Sequence, residues 1–260
     1  MNSTIRVLKG HRSIRRYKRK AIAVRVLDEV IECGLRASSS GNLNTWSVVV
    51  TTKKDLKKRL YHLHKEQEMV LEAPVVLTVC ADFRRTRRWI KLRKARDAFD
   101  DFTSFMVAAV DATLAAQNMT IAAESLGLGV CYMGTTLWSA PGISKLLRLP
   151  DNVVPITSLV VGYPAENPAV RGRLPRDFLV HRERYQELAD RALLKSFGER
   201  EESGWERYRS MPTVLREIER RGIKSLAEYY TSDAKYPKSL HRRTSREYLA
   251  LLKRKKFWNH

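Results

Sequence analysis

With 260 residues, 43% of them hydrophobic and 30% charged, the chain is long enough to bury the core of one domain, or of one domain with an appendage. Its 49 Lys and Arg against 28 Asp and Glu leave a formal net charge of +21, a field that draws in anions and binds nucleic acid weakly and in a salt-sensitive way. No apolar run of about 18 residues argues for a membrane span, the first residues lack a signal-peptide core, and Cys33, Cys80 and Cys131 form neither a disulfide frame nor a CxxC zinc pair, which together predict a reducing, cytoplasmic setting.

In chain order, Ser3 or Thr4 is placed to cap a short helix carrying Ile5 and Leu8, with Gly10 as its stop. The next seven residues, His11-Arg12-Ser13-Ile14-Arg15-Arg16-Tyr17, hold one imidazole, three guanidiniums and a hydroxyl. Fixed guanidinium forks suit a phosphate, with the hydroxyl and backbone N–H groups as further donors. If this segment is extended, His11, Ser13 and Arg15 point one way and Arg12, Ile14 and Arg16 the other. The plain alternative is a basic surface loop.

Apolar residues at helical spacing predict a helix over 24–36, broken by the polar run Ser38-Ser39-Ser40-Gly41-Asn42. Residues 46–50 read as a strand with both faces apolar, 56–71 as a helix and 75–81 as a second buried strand. Within the helix, His62 and His64 would diverge, so the pair predicts no metal site. The block Arg84-Arg85-Thr86-Arg87-Arg88 is the densest of several basic clusters, and their spread along the chain favours general surface basicity over a dedicated nucleic-acid site.

Residues 99–126 form the most hydrophobic helix, apolar on more than one side, and so belong at the core's centre or in a dimer interface. A strand over 130–133, a helix from Pro141 to Leu147 and a strand over 153–161 follow. After Pro175 hydrophobic strands vanish, and charged helices are predicted over 183–195, 214–221, 225–230 and 246–253. Strands interspersed with helices, without regular βαβ spacing, predict an α+β fold. The expected organisation is a core over 1–180 and a helical extension over 181–260 that wraps the core or a partner subunit instead of forming a core of its own.

No G-x-G-x-x-G, G-x-x-x-x-G-K-[ST] or H-E-x-x-H motif is present, and Gly127-Leu128-Gly129 follows a helix, so no Rossmann turn or metalloprotease site is predicted. What remains is an ordered set: H-R-S-I-R at 11–15, the Ser run at 38–40, A-A-E-S-L-G-L-G at 122–129, Tyr132-Met133-Gly134-Thr135, L-P-x-x-V-x-P and G-Y-P between 149 and 164, and Arg171-Gly172-Arg173. In this order the set resembles the nitroreductase family of FMN flavoproteins, in the subgroup of the oxygen-insensitive nitroreductases and flavin reductase P. The resemblance covers residues 4–185 well and the tail loosely.

That resemblance implies a central mixed or antiparallel sheet flanked by helices, in an intertwined homodimer with a helical C-terminal extension. It implies that His11, Arg12, Ser13 and Arg15 hold the FMN phosphate and ribityl chain, that Arg171 and Arg173 close on the same phosphate, and that Gln67 faces the polar edge of the flavin ring. The turn Tyr132-Met133-Gly134-Thr135 would lie against the ring, and Ser38, Ser39 and Ser40 would come from the other subunit. Gly41 and Asn42 stand where the subgroup carries larger residues, which implies a roomier substrate pocket. NADPH or NADH is the implied electron donor; Arg242 and Arg243, with Lys235, Lys238, Arg207 or Arg209 as alternatives, would meet a 2′-phosphate. Because the flavin itself performs hydride chemistry, no catalytic acid or base is demanded. The implied activity is reduction of small-molecule oxidants, namely nitroaromatics, quinones or flavins. Its alternatives are a reductase dedicated to supplying free reduced flavin and a basic nucleic-acid binder on a degenerate flavoprotein fold.

Overall fold

Runs of β-branched residues become four strands, β1 (Trp46–Thr51), β2 (Val75–Asp82), β3 (Gly129–Met133) and β4 (Val153–Gly162), in a computed structural model that describes residues 2–259. They pair throughout as an antiparallel sheet in the order β1-β2-β4-β3. Trp46 lies opposite Ala81, Val75 opposite Val161 and Gly129 opposite Gly162. Every residue of β2 is buried, whereas β1 is an edge strand with Val50 exposed, so the expectation of two apolar faces holds for β2 and not for β1. Pro155 sits in a central strand, where its missing N–H would break a ladder; the register shifts beside it, between Val79 and Cys80.

The helices are α1 (Ser3–Gly10), α2 (Val24–Leu35), α3 (Lys54–Leu63), α4 (Met69–Glu72), α5 (Arg84–Leu92), α6 (Phe102–Ser125), α7 (Thr135–Trp138), α8 (Ala140–Leu146), α9 (Arg176–Leu179), α10 (Asp190–Arg209), α11 (Pro212–Arg220), α12 (Leu226–Thr231) and α13 (Lys238–Arg254). Three boundaries differ from the sequence expectation for identifiable reasons. Asn2, not Ser3 or Thr4, caps α1 by accepting from Ile5 N. The helix expected over 56–71 is two helices, because Lys65 and Glu66 both take left-handed backbone angles. Asp101 caps α6 by accepting from Ser104 N, which starts the helix three residues later than expected.

Helix α6 lies across the sheet and packs Ala112, Ala115, Ala116, Met119 and Ala123 into one cluster with Leu77, Val79 and Leu159. Helix α2 packs closely on it: a Cβ at Gly34 would fall 2.7 Å from Met119 Cγ. By length and mean hydropathy α6 alone among the described helices could cross a bilayer, yet half of it is buried within the fold and it carries the buried Asp111. Gly127, at φ +77°, ends it in a left-handed turn in which Leu128 N donates to Ala123 O. The Gly-Leu-Gly triplet is thus a helix stop.

Two compact units make up the chain, Met1–Val170 with Thr244–His260, and Arg171–Arg243. The second unit has a small core of its own around Tyr208, Ile218, Leu226 and Tyr229, correcting the expectation of a tail without one. Tyr208 and Tyr229 rings lie 4.7 Å apart, and Lys235 stands 5.2 Å over the Tyr208 ring. Tail helices also shift: α10 begins at Asp190 and runs to Arg209, and α13 begins at Lys238. The final turns of α13 return Leu251 and Leu252, with Phe257 beyond them, to a cluster containing Phe83 and Phe105 in the first unit.

Residues 11–17 run along the end of the sheet. Ile14 N donates to Val130 O at 3.0 Å, Tyr17 bridges Pro164, and Lys18 N donates to Tyr163 O at 2.9 Å. Ile14 is buried directly over Gly129, where a Cβ would lie 2.6 Å from Ile14 Cγ1. Glycine is required there for close approach and not for its backbone angle. Gly129→Ala should therefore destabilise the fold by about 2 kcal/mol through overpacking. Combined with Ile14→Ala it should cost less than the sum of the two single changes; additive urea midpoints would show that this contact does not set the position of the segment.

Candidate cofactor site

Carboxylates hold the basic segment by its backbone. Glu166 Oε1 accepts from Arg15 N at 2.5 Å and Arg16 N at 3.1 Å. Glu72 accepts from Tyr17 N at 3.1 Å and pairs with Arg16 Nε at 3.1 Å. Glu124 Oε1 lies 2.7 Å from His11 Nδ1, and burial pushes its carboxyl pKa up against the opposing pull of His11 and Arg12. Tyr17 is buried, with its hydroxyl 2.6 Å from Ile14 O and 3.1 Å from Val160 O, and burial drives its pKa far upward.

Among the described residues the guanidiniums of Arg12 and Arg15 pair with no carboxylate; Arg12 reaches Pro168 O and Arg15 reaches Ser13 O, each at 3.4 Å. Arg12 and Ile14 line a cleft of about 380 Å³ with Glu124, Glu166 and Arg6; His11, Ser13 and Arg15 do not line it, in keeping with the alternation expected of an extended segment.

The turn at 132–135 leaves the far end of β3, four residues or about 13 Å along the strand from Gly129. Tyr132 turns its hydroxyl to helix α6, 3.2 Å from both Thr120 Oγ1 and Gln117 Oε1, while Met133 is buried. Gly134 is exposed at the start of α7. Thr135 Oγ1 lies 2.9 Å from His64 Nδ1 and accepts from Gln67 Nε2 at 3.3 Å; Gln67 Nε2 also donates to His64 O at 2.9 Å. The left-handed turn at 65–66 brings Gln67 to this point. Gln67 and the 132–135 turn are thus brought together, with a third member that the sequence did not single out, His64. It is buried, its Nε2 has no hydrogen-bond partner among the described residues, and burial pulls its pKa down to about 4, so it is neutral at pH 7. His62, by contrast, is exposed and faces Glu66 at 3.4 Å.

The serine run is anchored by another residue with no local sequence signal. Asp111, buried in α6, accepts from Ser39 Oγ at 2.6 Å, Ser40 N at 3.0 Å, Thr45 N at 3.1 Å and Thr45 Oγ1 at 2.7 Å. Ser39 gives its only hydroxyl proton to Asp111, whereas the hydroxyls of Ser38 and Ser40 have no hydrogen-bond partner among the described residues. Gly41, Asn42 and Asn44 take left-handed angles in the turn that follows and are exposed. This loop enters β1 at one edge of the sheet, whereas the 132–135 turn leaves β3 at the other, three strand spacings or about 14 Å away. Within one chain the two do not meet.

The remaining expected ligands lie in the second unit. Arg171 and Arg173 are exposed, with Arg173 Nη1 donating to Arg171 O at 3.0 Å and Gly172 O at 3.2 Å. Arg242 and Arg243 are exposed on α13.

Residues 8–163 match the nitroreductase family. An FMN reductase (NAD(P)H) of Bacillus subtilis is 39% identical over 189 residues, which are 71% of this chain and 75% of that protein. An oxygen-insensitive NADPH nitroreductase of Salmonella typhimurium is 34% identical over 196 residues, 75% of this chain and 80% of its own length. The structure of the NADPH:FMN oxidoreductase from Vibrio harveyi complexed with NAD+ superimposes with a TM-score of 0.78 at 28% identity, covering 100% of both chains.

The buried imidazole ties stability to pH. With a folded pKa near 4 and an unfolded value of 6.5, His64 binds fewer protons in the folded state, so its contribution is complete above pH 6.5 and falls as pH drops toward 4. The loss amounts to about 3 kcal/mol over that window. His64→Asn, which keeps a polar group facing Thr135, should lose correspondingly less stability than wild type between pH 7.5 and pH 4 in urea titrations. Parallel pH profiles for the two proteins would contradict this account.

Proposed function

The chain belongs to the nitroreductase family, and from that premise we propose that it is a homodimeric FMN-dependent NAD(P)H oxidoreductase that reduces nitroaromatics, quinones or flavins by ping-pong hydride transfer. The observation that carries the site assignment is the Arg15 guanidinium, held through its backbone by Glu166 yet without a carboxylate partner among the described residues; Arg12, on the other side of the extended segment, is assigned by resemblance. A phosphate dianion suits cations held in this way, because charge-assisted bonds gain most where the donors are already positioned.

When bound, FMN supplies the redox chemistry. The chain's own residues bind and orient it: His11, Arg12, Ser13 and Arg15 at the phosphate end, and Gln67 with the 132–135 backbone at the ring end. The spacing of about 13 Å between these ends along β3 supports this division. Arg171 and Arg173 are assigned to the phosphate by resemblance. The Gln67 side-chain amide nitrogen is held by His64 and Thr135 while its carbonyl oxygen has no partner among the described residues, which leaves one acceptor for the polar edge of a flavin.

Two observations support a dimer. Phe102, Met106, Val110 and Leu114 form an exposed apolar stripe at helical spacing on α6, larger than isolated surface residues require. The serine loop and the 132–135 turn lie at opposite sheet edges, so Ser38–Ser40 reach such a site only from a second chain. Cys33, Cys80 and Cys131, which form no disulfide among the described residues, accord with a reducing, cytoplasmic setting. A dedicated supplier of reduced flavin and a nucleic-acid binder are not favoured.

Purified protein should carry FMN, and Arg12→Ala or Arg15→Ala should weaken its retention by about 1.5–3 kcal/mol per lost charge-assisted bond, roughly 10- to 150-fold in Kd. Fluorescence titration of flavin into apoprotein measures this; unchanged affinity in both variants would remove the phosphate assignment.

Cofactor choice follows from charge. NADPH adds a 2′-phosphate of about two negative charges near neutral pH. The general field acts on both cofactors and is screened over about 8–10 Å, whereas a direct guanidinium contact persists. NADPH should be preferred, the preference should narrow with salt, and Arg242→Ala with Arg243→Ala should raise the KM for NADPH and leave NADH unaffected. Equal kcat/KM for the two cofactors at low salt would leave the basic extension as ordinary solvated surface.

A further inference from the structure

A second cavity, of about 560 Å³, lies within the first unit between α8 and the end of α13. Four cations line it, Lys145, Arg148, Arg254 and Lys255, and no carboxylate does. Lys255 is committed: its Nζ donates to Leu149 O. Lys145, Arg148 and Arg254 have no side-chain hydrogen bond or ion pair among the described residues, although Lys256, nearby in sequence, pairs with Asp151 at 2.8 Å. Between them Ser144 is 3% exposed, and its Oγ has no hydrogen-bond partner among the described residues. A helical serine ordinarily returns its proton to the carbonyl four residues earlier. Ser144 does not.

Helix polarity accounts for part of this arrangement. Lys145 stands in the last turn of α8 and Arg254 in the last turn of α13, where cations complement the carbonyl end. It explains neither Arg148 nor the unpartnered hydroxyl. Arg148 occupies the left-handed position that closes α8, at φ 52°, with Leu149 N donating to Ser144 O at 2.9 Å and Arg148 N to Lys145 O at 3.3 Å. Glycine is the usual residue in such a turn, so an arginine there adds a charge at a conformational cost.

We propose that this cavity is a second anion site, separate from the basic segment at 11–16, that binds a small molecule bearing at least two phosphate charges. Lys145, Arg148 and Arg254 supply the charge, and Ser144 Oγ supplies a buried neutral donor. The volume fits a small ligand and not merely one ion. The proposal does not depend on the identity of the oxidant.

Isothermal titration of the FMN-loaded protein tests it, since flavin then occupies its own phosphate ligands. Inorganic pyrophosphate and ADP serve as probes, and saturable binding of either at one site per chain supports the proposal. Arg148→Gly with Arg254→Gln should weaken that binding about tenfold or more. The glycine relieves the left-handed turn, so the variant should fold at least as well as wild type and keep its flavin. Ser144→Ala should weaken binding to a smaller extent. Lys58→Gln with Arg59→Gln removes two exposed cations from α3 as a charge-matched control and should change nothing. Absence of saturable binding of both probes, unchanged affinity in the Arg148/Arg254 variant, or an equal loss in the control would overturn the proposal.

Discussion

Four carboxylates, Glu72, Asp111, Glu124 and Glu166, fix the geometry on which the candidate site depends. In a chain with far more basic than acidic residues, the obvious role for an acid is to neutralise a neighbouring guanidinium. Three of these four receive backbone N–H groups, Glu166 from residues 15 and 16, Glu72 from residue 17 and Asp111 from residues 40 and 45, and of the three only Glu72 also pairs with a guanidinium, that of Arg16, among the described residues. A carboxylate sheltered from water needs several donors, and a loop sheltered from water needs acceptors, so each satisfies the other. The backbone at residues 15–17 is thereby fixed while the head of Arg15 stays available.

The sheet converts these local anchors into a layout. Because β3 is short and lies at an edge, its two ends present different chemistry: close-packed glycine and the basic segment at one, the 132–135 turn with Gln67 and His64 at the other. Helix α6 ties the layout together, since its Asp111 holds the serine loop and its Glu124 meets His11 thirteen residues later. A shift of this helix would therefore move both loops at once.

What can be read in the sequence follows from range. Strands rich in Val and Thr, and the alanine-rich helix, announce themselves within a short window, as do the basic segment and the 132–135 turn. His64 and Asp111 do not, because their partners lie 71 and about 70 residues away and nothing local distinguishes them from any other His or Asp. The break at Lys65 and Glu66 is hidden for a different reason: neither residue type favours left-handed angles, so helical periodicity runs through the turn unmarked. The second unit's core is equally hidden, because it is assembled from one or two residues on each of three charged helices, Tyr208, Ile218, Leu226 and Tyr229, and not from one long apolar stripe.

Net charge alone says little about what the chain binds. Several cations are used as caps for carbonyl groups: Lys57 is buried against Leu71 O and Ala73 O, Arg85 reaches Asn44 O and Trp46 O, and Lys255 reaches Leu149 O. Lys57 is turned fully inward and Lys255 partly so, and burial lowers the pKa of both, whereas Arg85 stays exposed. The rest of the field reaches solvent, where salt screens it within about 8–10 Å. Discrimination between one anion and another therefore falls to the few cations that combine a fixed backbone, an unpaired head and a neighbouring neutral donor. Arg15 beside Ser13 meets that condition, and so does Arg148 beside Ser144; the dense basic face of α5, with Arg85 and Arg87 already paired to Asp82 and Asp97, meets it far less well.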